Sequence, residues 1–276
     1  MIPVDTAISR FRRDMTLAAL LRFALLIAAA ACIILGPVLG ARSDGMLLLL
    51  FIGGIWIMLS YRSVKGTRIV AGSPLLIAAG DYDQAEDRID VALRTFSLFR
   101  TVKLISLHHL ALLRHTQRRW RESALLCQAL LSQKLNNLQG LSRTTLLLMT
   151  DSLLQMNDLR GAYDALSALN HHRLTLNEAL TLQFLQLDYG SRIGAWELMV
   201  ANVGAKARLA ELMPAINAAR SHALLALAAH KTGRAALGEW LARRALLLAD
   251  VKDIVVDRPI LADIVKAGNG QNVTNG

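Results

Sequence analysis

Only two cysteines occur in the 276 residues, Cys32 and Cys127. One stands in an apolar run and the other in a mixed polar-apolar pattern. They suggest no disulfide framework, which suits a reducing compartment. Five prolines (Pro3, Pro37, Pro74, Pro214 and Pro259) leave long stretches without a helix breaker. Aromatic residues make up 5% of the chain, and Val and Ile are sparse beside Leu and Ala. Strands therefore have little to be built from, and an all-α chain is predicted. No Gly-rich phosphate loop, nucleophile elbow or His-Glu-x-x-His helix is present. Nothing in the sequence points to an enzyme, and no cofactor or metal is implied. Charged residues are also few, at 19% against 54% hydrophobic, with a mean hydropathy of +0.37. That is too apolar for an ordinary soluble domain, so a membrane segment is the first thing to look for.

Two apolar runs answer. Phe23 to Ala41 is uncharged over nineteen residues, and Gly45 to Tyr61 over seventeen. The first is long enough for one span; the second, about 26 Å as a helix, is at the lower edge. Arg22 stands near the start of the first run, where a long side chain can snorkel. Trp56 and Tyr61 suit an interface. Arg42-Ser43-Asp44-Gly45 reads as a short turn-like linker. Bases flank the pair, with Arg10, Arg12 and Arg13 before it and Arg62, Lys65 and Arg68 after it. The positive-inside rule then puts both flanks in the cytoplasm. A secretory signal peptide would share the basic start and the small residues near Ala41. A second apolar run follows at once, however, and the first is long for a signal core. A buried hairpin in a soluble protein is disfavoured because neither run has a polar face.

The formal charge of +10 is unevenly spread. Residues 1–68 carry +5, residues 69–87 carry −4, residues 88–143 carry +8 and residues 144–276 carry +1. The basic group Arg88, Arg94, Arg100, Lys103, Arg114, Arg118, Arg119 and Arg121, with Lys134 and Arg143 beyond it, is the strongest feature after the apolar runs. It reads as a solvated surface, as a face toward anionic headgroups, or as a groove for an acidic partner. Aromatics for stacking on nucleic acid are thin there: Trp120, Phe96 and Phe99.

Asp81, Asp83, Glu86, Asp87 and Asp90 form an acidic cluster. It lacks the third oxygen ligand and central Gly of a calcium loop. Asp83-Gln84-Ala85-Glu86 reads instead as a capping box. His108 and His115 share a helical face without further ligands, and His171-His172 follow Asn170 at a helix end. Cys127 falls on a buried face as a core thiol.

From residue 69 a pattern recurs: a turn, a bulky residue two positions on, and a small one five positions on. Gly80/Tyr82/Ala85, Arg118/Trp120/Ser123 and Asn157/Leu159/Ala162 carry it, followed by Gly190/Arg192/Ala195 and Gly233/Ala235/Gly238. The spacings of 38, 39, 33 and 43 mean stacked helix pairs. Twelve positions before the small residue stand Ser73, Ala111 and Ala226, and four after it Ile89, Cys127, Leu166 and Met199. On these residues the region 69–249 resembles the tetratricopeptide repeat family, without its helix-A tyrosine or closing proline. The layout is similar to HemY-type bacterial inner-membrane proteins, which join two spans to such repeats.

The expected chain is thus all-α. Residues 1–16 form a basic cytoplasmic N-terminus and 17–68 a two-helix transmembrane hairpin. Residues 69–249 form a right-handed α-solenoid of about five helix pairs, 250–267 a closing helix or helices, and 268–276 a disordered tail. The resemblance implies a multi-pass protein of the cell (inner) membrane whose cytoplasmic repeats bind a protein or peptide as a scaffold or assembly factor. The alternatives are a membrane-tethered basic repeat binding RNA or an acidic partner, and an enzyme with an unrecognised site.

Overall fold

The computed structural model describes residues 2–38, 42–97, 99–133, 135, 138–256 and 258–264, with the side chains of 35–38 and 42–48 left aside. All regular structure among these residues is helical. The tail at 268–276 with its Asn272-Val273-Thr274 sequon lies outside the described residues, as does Lys134. The chain forms two compact units, Met1–Leu148 and Met149–Gly276.

Unit 1 begins with two long helices. Helix α1 (Val4–Val38) has 35 residues and α2 (Arg42–Ala71) has 30, so they run to about 52 and 45 Å. Neither is uniform along its length. In α1, Val4, Ala7, Phe11, Asp14 and Ala18 are buried. Their spacing of three and four keeps them on one face. That face packs on α4 (Tyr82–Arg94), α5 (Arg100–Thr116) and α6 (Trp120–Leu131). Beyond Ala18 none of the described side chains of α1 is buried, and residues 21, 22, 25, 28, 29, 31 and 32 are half-buried. Leu20, Phe23, Leu26, Ile33 and Ile34 are 62–67% exposed. Helix α2 mirrors this. Leu50, Phe51 and Ile57 are 65–70% exposed, whereas Ser63, Gly66 and Val70 are buried toward α4 and α5. A Cβ at Gly66 would stand 3.6 Å from the Val102 methyl, so the backbone itself lies on α5.

Two expectations change here. Residues 1–16 are not a separate segment: α1 is continuous through residue 16, and its first four turns are part of the folded unit. Arg42–Gly45 is not a turn but the first turn of α2. A one-turn-and-a-half helix, α3 (Ser73–Ala78), then precedes α4.

Unit 2 contains the end of α7 (Gln139–Gln155), then α8 (Leu159–Leu169) and α9 (Leu176–Arg192). The short helices α10 (Trp196–Val200) and α11 (Val203–Ala210) follow. Its centre is α12 (Ala215–Lys231), buried without a break from Ser221 to Ala229. Five of those nine residues are Ala or Ser, which lets neighbouring helices come close. Helices α9, α10 and α11, together with α13 (Ala235–Leu248), pack around it. A Cβ at Gly238 of α13 would meet the His230 ring at 2.6 Å. The closing segment contains α14 (Val251–Val255) and a 3-10 turn at Pro259–Leu261, with 265–267 outside the described residues. Proline at its first position starts that turn.

Five turns between helices close in the same way. Gly80, Arg118, Asn157, Gly194 and Gly233 all have φ between 59° and 80°. After each, the next N–H donates to the carbonyl five residues back. The donor-acceptor pairs are Asp81 to Leu76, Arg119 to Arg114, Asp158 to Leu153, Ala195 to Gly190 and Arg234 to Ala229, at 2.8–2.9 Å. This is the left-handed helix closure that Gly and Asn favour. The fourth turn is therefore at Gly194 and not at Gly190. Gly190 lies inside α9, where a Cβ would be 3.0 Å from Met199 Cγ. With that shift the turns fall 38, 39, 37 and 39 residues apart. The positions two beyond become Tyr82, Trp120, Leu159, Trp196 and Ala235. The positions five beyond become Ala85, Ser123, Ala162, Met199 and Gly238, all buried.

The capping expectation at α4 is also corrected. Asp81, not Asp83, is the N-cap: its carboxylate accepts from the Gln84 N–H at 3.2 Å. Glu86 is buried and serves another purpose, described next.

Candidate functional site

The basic group divides once α5 is in place. Residues 103, 107, 110 and 114 recur at four, three and four, so Lys103 and Arg114 share the buried face of Leu107 and Leu110. Arg114 is wholly buried. Its guanidinium donates to Glu86 Oε1 at 2.9 Å, to Gln117 Oε1 at 2.8 Å and to the Ile2 carbonyl at 3.0 Å. Glu122 stands 3.3 Å from its Nε. The Ile2 N–H donates to Glu86 in turn, so one buried ion pair fastens the start of the chain to α4 and α5. Burial alone would raise the Glu86 carboxyl. The hydrogen bonds from Arg114 and Ile2, and the Arg114 charge, outweigh it and hold the pKa below 4.5.

Lys103 donates to Asp14 Oδ2 at 2.7 Å and to the Leu93 carbonyl at 2.5 Å. Burial lowers its pKa in spite of the Asp14 charge. Neither Lys103 nor Arg114 belongs to a surface patch: Lys103 ties α1 to α5, and Arg114 ties Ile2, just before α1, to α4 and α5. The helical spacing within α5 already carried that signal.

The rest of the group stays at or near the surface. Arg88, Arg94, Arg118 and Arg121 are exposed, and Arg100 and Arg119 are half-buried. Arg94 pairs with Asp90 at 2.6 Å, and Arg119 pairs with Glu122. Among the juxtamembrane set, Arg10 faces Asp90 at 3.8 Å and Arg13 is 3.8 Å from Asp14. Arg12, Arg62, Lys65 and Arg68 are exposed.

Unit 2 has its own buried arginine, which the sequence did not single out. Arg258 donates to Asp188 Oδ2 of α9 at 2.8 Å and lies over the Phe184 ring at 4.9 Å. Asp151 is 3.8 Å away. The closing segment is thereby fastened to α9 and the end of α7.

Groups that carry chemistry elsewhere are placed structurally here. Cys127 is fully buried, and burial pushes its thiol up to about 12. His108 is lowered to about 4, chiefly by burial, and its Nδ1 lies 3.1 Å from Thr145 Oγ1. His115 stacks edge-on against Trp120 at 4.8 Å. His222 is wholly buried in α12, with no hydrogen-bond partner for either ring nitrogen among the described residues. No set of three His, Cys, Asp or Glu side chains among the described residues gathers as a metal site would require. An open depression of about 660 Å³ lies at Ala215, Ile216, Arg220, Leu247, Asp250 and Asp253. It holds no nucleophile or histidine.

Among the described residues, the Val4–Ile34 stretch of α1 is long and apolar enough to cross a membrane. No protein-family model, curated protein or solved structure matches this chain.

Proposed function

We propose that this is a membrane-anchored interaction protein. The bare halves of α1 and α2 cross the bilayer as a pair, and the helical units stand on the cytoplasmic side. There they hold a protein or peptide partner as a scaffold or assembly factor. The observation that carries the reading is the change of character along α1. The same helix is amphipathic and packed up to Ala18, then apolar to Ile34 except for Arg22, with no buried residue. An apolar stretch that leaves Leu20, Phe23, Leu26, Ile33 and Ile34 more than 60% exposed is at home in lipid, not water. The bases at residues 10–13 and 62–68, with one apolar run after the first group and one before the second, support the cytoplasmic side. The five equivalent turns support a helix-pair repeat, whose concave surfaces bind partners without catalytic residues.

The topology is tested by fusing two reporters after Gly72, one active only in the cytoplasm and one only outside it. Activity of the cytoplasmic reporter alone is expected; activity of the external one alone would reverse the assignment. Photo-crosslinking in intact membranes from exposed positions on unit 1 and unit 2 then tests for a partner. A discrete crosslinked protein is expected. Crosslinks to nucleic acid instead would favour the basic-repeat alternative.

A further inference from the structure

The cations of unit 1 fall into two sets according to what stands beside them. Arg94 has Asp90 at 2.6 Å, Lys103 has Asp14 at 2.7 Å, Arg114 has Glu86 at 2.9 Å, and Arg119 has Glu122. Arg12, Arg62, Lys65 and Arg68 are exposed and have no acidic partner among the described residues, a lack they share with Arg88, Arg100 and Arg121. Between Asp14 and Asp81 the chain carries a single carboxylate, Asp44, at the opposite end of α2, so α2 brings no acid of its own to residues 62–68.

Their position sets the four apart. On α2, residues 62, 65 and 68 recur every third position, on the face away from buried Ser63, Gly66 and Val70. Tyr61, one residue earlier, is 72% exposed and ends the bare half. On α1, which packs beside α2, Arg12 stands about 12 Å of helix axis before Leu20, on the packed side of the change. Arg22, inside the bare half, turns back toward that change: its Nε donates to the Ala18 carbonyl at 3.2 Å. Uncompensated charge thus collects at the level where apolar surface begins.

We propose that Arg12, Arg62, Lys65 and Arg68 form a binding collar for anionic phospholipid headgroups at the base of the bare helices. The inference rests on the membrane-anchor reading above. The chemistry is recognition of a phosphate diester: arginine donates paired N–H groups to two oxygens, and Lys65 adds a point charge. It moves lipid contact from the residue 88–121 group, where much of the charge is paired within the protein, to the junction. Lipid in the collar supplies the counter-charge that the fold lacks.

The test uses the full chain reconstituted in mixed vesicles of phosphatidylglycerol and phosphatidylcholine. Spin-labelled forms of each lipid report which one sits against the protein. Preference for phosphatidylglycerol is expected in the native chain. It should fall by about five-fold for each cation lost near the surface, first in the Arg62→Gln, Lys65→Gln double variant. Salt at about 1 M, where screening reaches within about 3 Å, should abolish it in the native chain too. No preference in the native chain, or one indifferent to both salt and the double variant, overturns the proposal. So does a preference removed instead by Arg118→Gln, Arg119→Gln and Arg121→Gln together. Loss of the preference to millimolar inorganic phosphate at constant ionic strength would make this a free-phosphate site and overturn the lipid assignment. Resistance to alkaline extraction, scored on the same vesicles, reports insertion separately. A chain that inserts yet shows no preference sinks the collar and leaves the anchor standing.

Discussion

Phe11 and Phe23 stand on one helix, and only their neighbours differ. Phe11 is 1% exposed and sits in the stripe that α1 lays on α4, α5 and α6. Phe23 is 65% exposed in a stretch with no polar face. Helix α2 repeats the contrast, from Phe51 at 69% exposed to Val70 at 1%. The lesson is that the bare and packed halves are not joined by a linker. On the proposed reading each long helix is half anchor and half domain wall, and the change occurs within about one turn. In α1, where no Pro or Gly occurs from Val4 to Ile34, continuity of that kind carries the orientation of the apolar half into the packed half, since such a helix resists bending.

The strongest way to break the comparison is at the tie that holds the packed half in place. Arg114→Ala leaves Glu86 buried without its partner and frees the Ile2 carbonyl. The expected loss is about 3–5 kcal/mol, read from denaturant unfolding of the full chain in mild detergent. Hydrogen exchange should show the first turns of α1 opening with it. A loss under about 1 kcal/mol would mean that the ion pair is incidental.

Paired substitutions sharpen the comparison directly. Phe11→Ala should cost about 3–5 kcal/mol through the cavity it leaves, whereas Phe23→Ala should stay within about 0.5 kcal/mol. Equal costs would mean that the two halves share one environment.

Acid gives the smallest effect and acts on one half only. The folded-state pKa of Glu86 lies below its ordinary value of 4.5. Its stabilisation is therefore fully present above 4.5 and is lost as pH falls through the lowered value. Thermal unfolding followed from pH 6 downward should show the loss below 4.5 in the native chain, with a shallower slope in Glu86→Gln. Identical slopes would remove Glu86 from the account.

Much of this architecture was legible in the sequence, because it depends on local patterns. Two uncharged runs and a Leu/Ala-rich remainder are enough for an all-helical chain with apolar helices at one end. Four of the five turns were found where Gly80, Arg118, Asn157 and Gly233 close a helix. The fourth was misplaced by four residues because Gly190 and Gly194 compete. Gly190 has a small residue, Ala195, in the expected place, while the true turn puts Met199 there. The small-residue rule selected the wrong glycine.

What was not legible depends on contacts far apart in sequence. Nothing in residues 2–18 announces that Ile2 meets Glu86 and Arg114, or that Asp14 meets Lys103. Basic residues counted as charge read as surface. Only their place on the Leu107–Leu110 face of α5 identifies them as internal. Arg258 was passed over for the same reason, since its partner Asp188 is 70 residues away.

The central claim is that α1 and α2 pass from water into lipid near Ala18 and Tyr61. Nitroxides placed one at a time along both helices of the reconstituted chain test this most directly, by comparing relaxation by oxygen with relaxation by a water-soluble nickel chelate. High oxygen and low nickel access are predicted at positions 20, 23, 26, 33, 50, 51 and 57, with the reverse at positions 9, 12, 68 and 71. Nickel access at the first set as high as at the second would contradict the account.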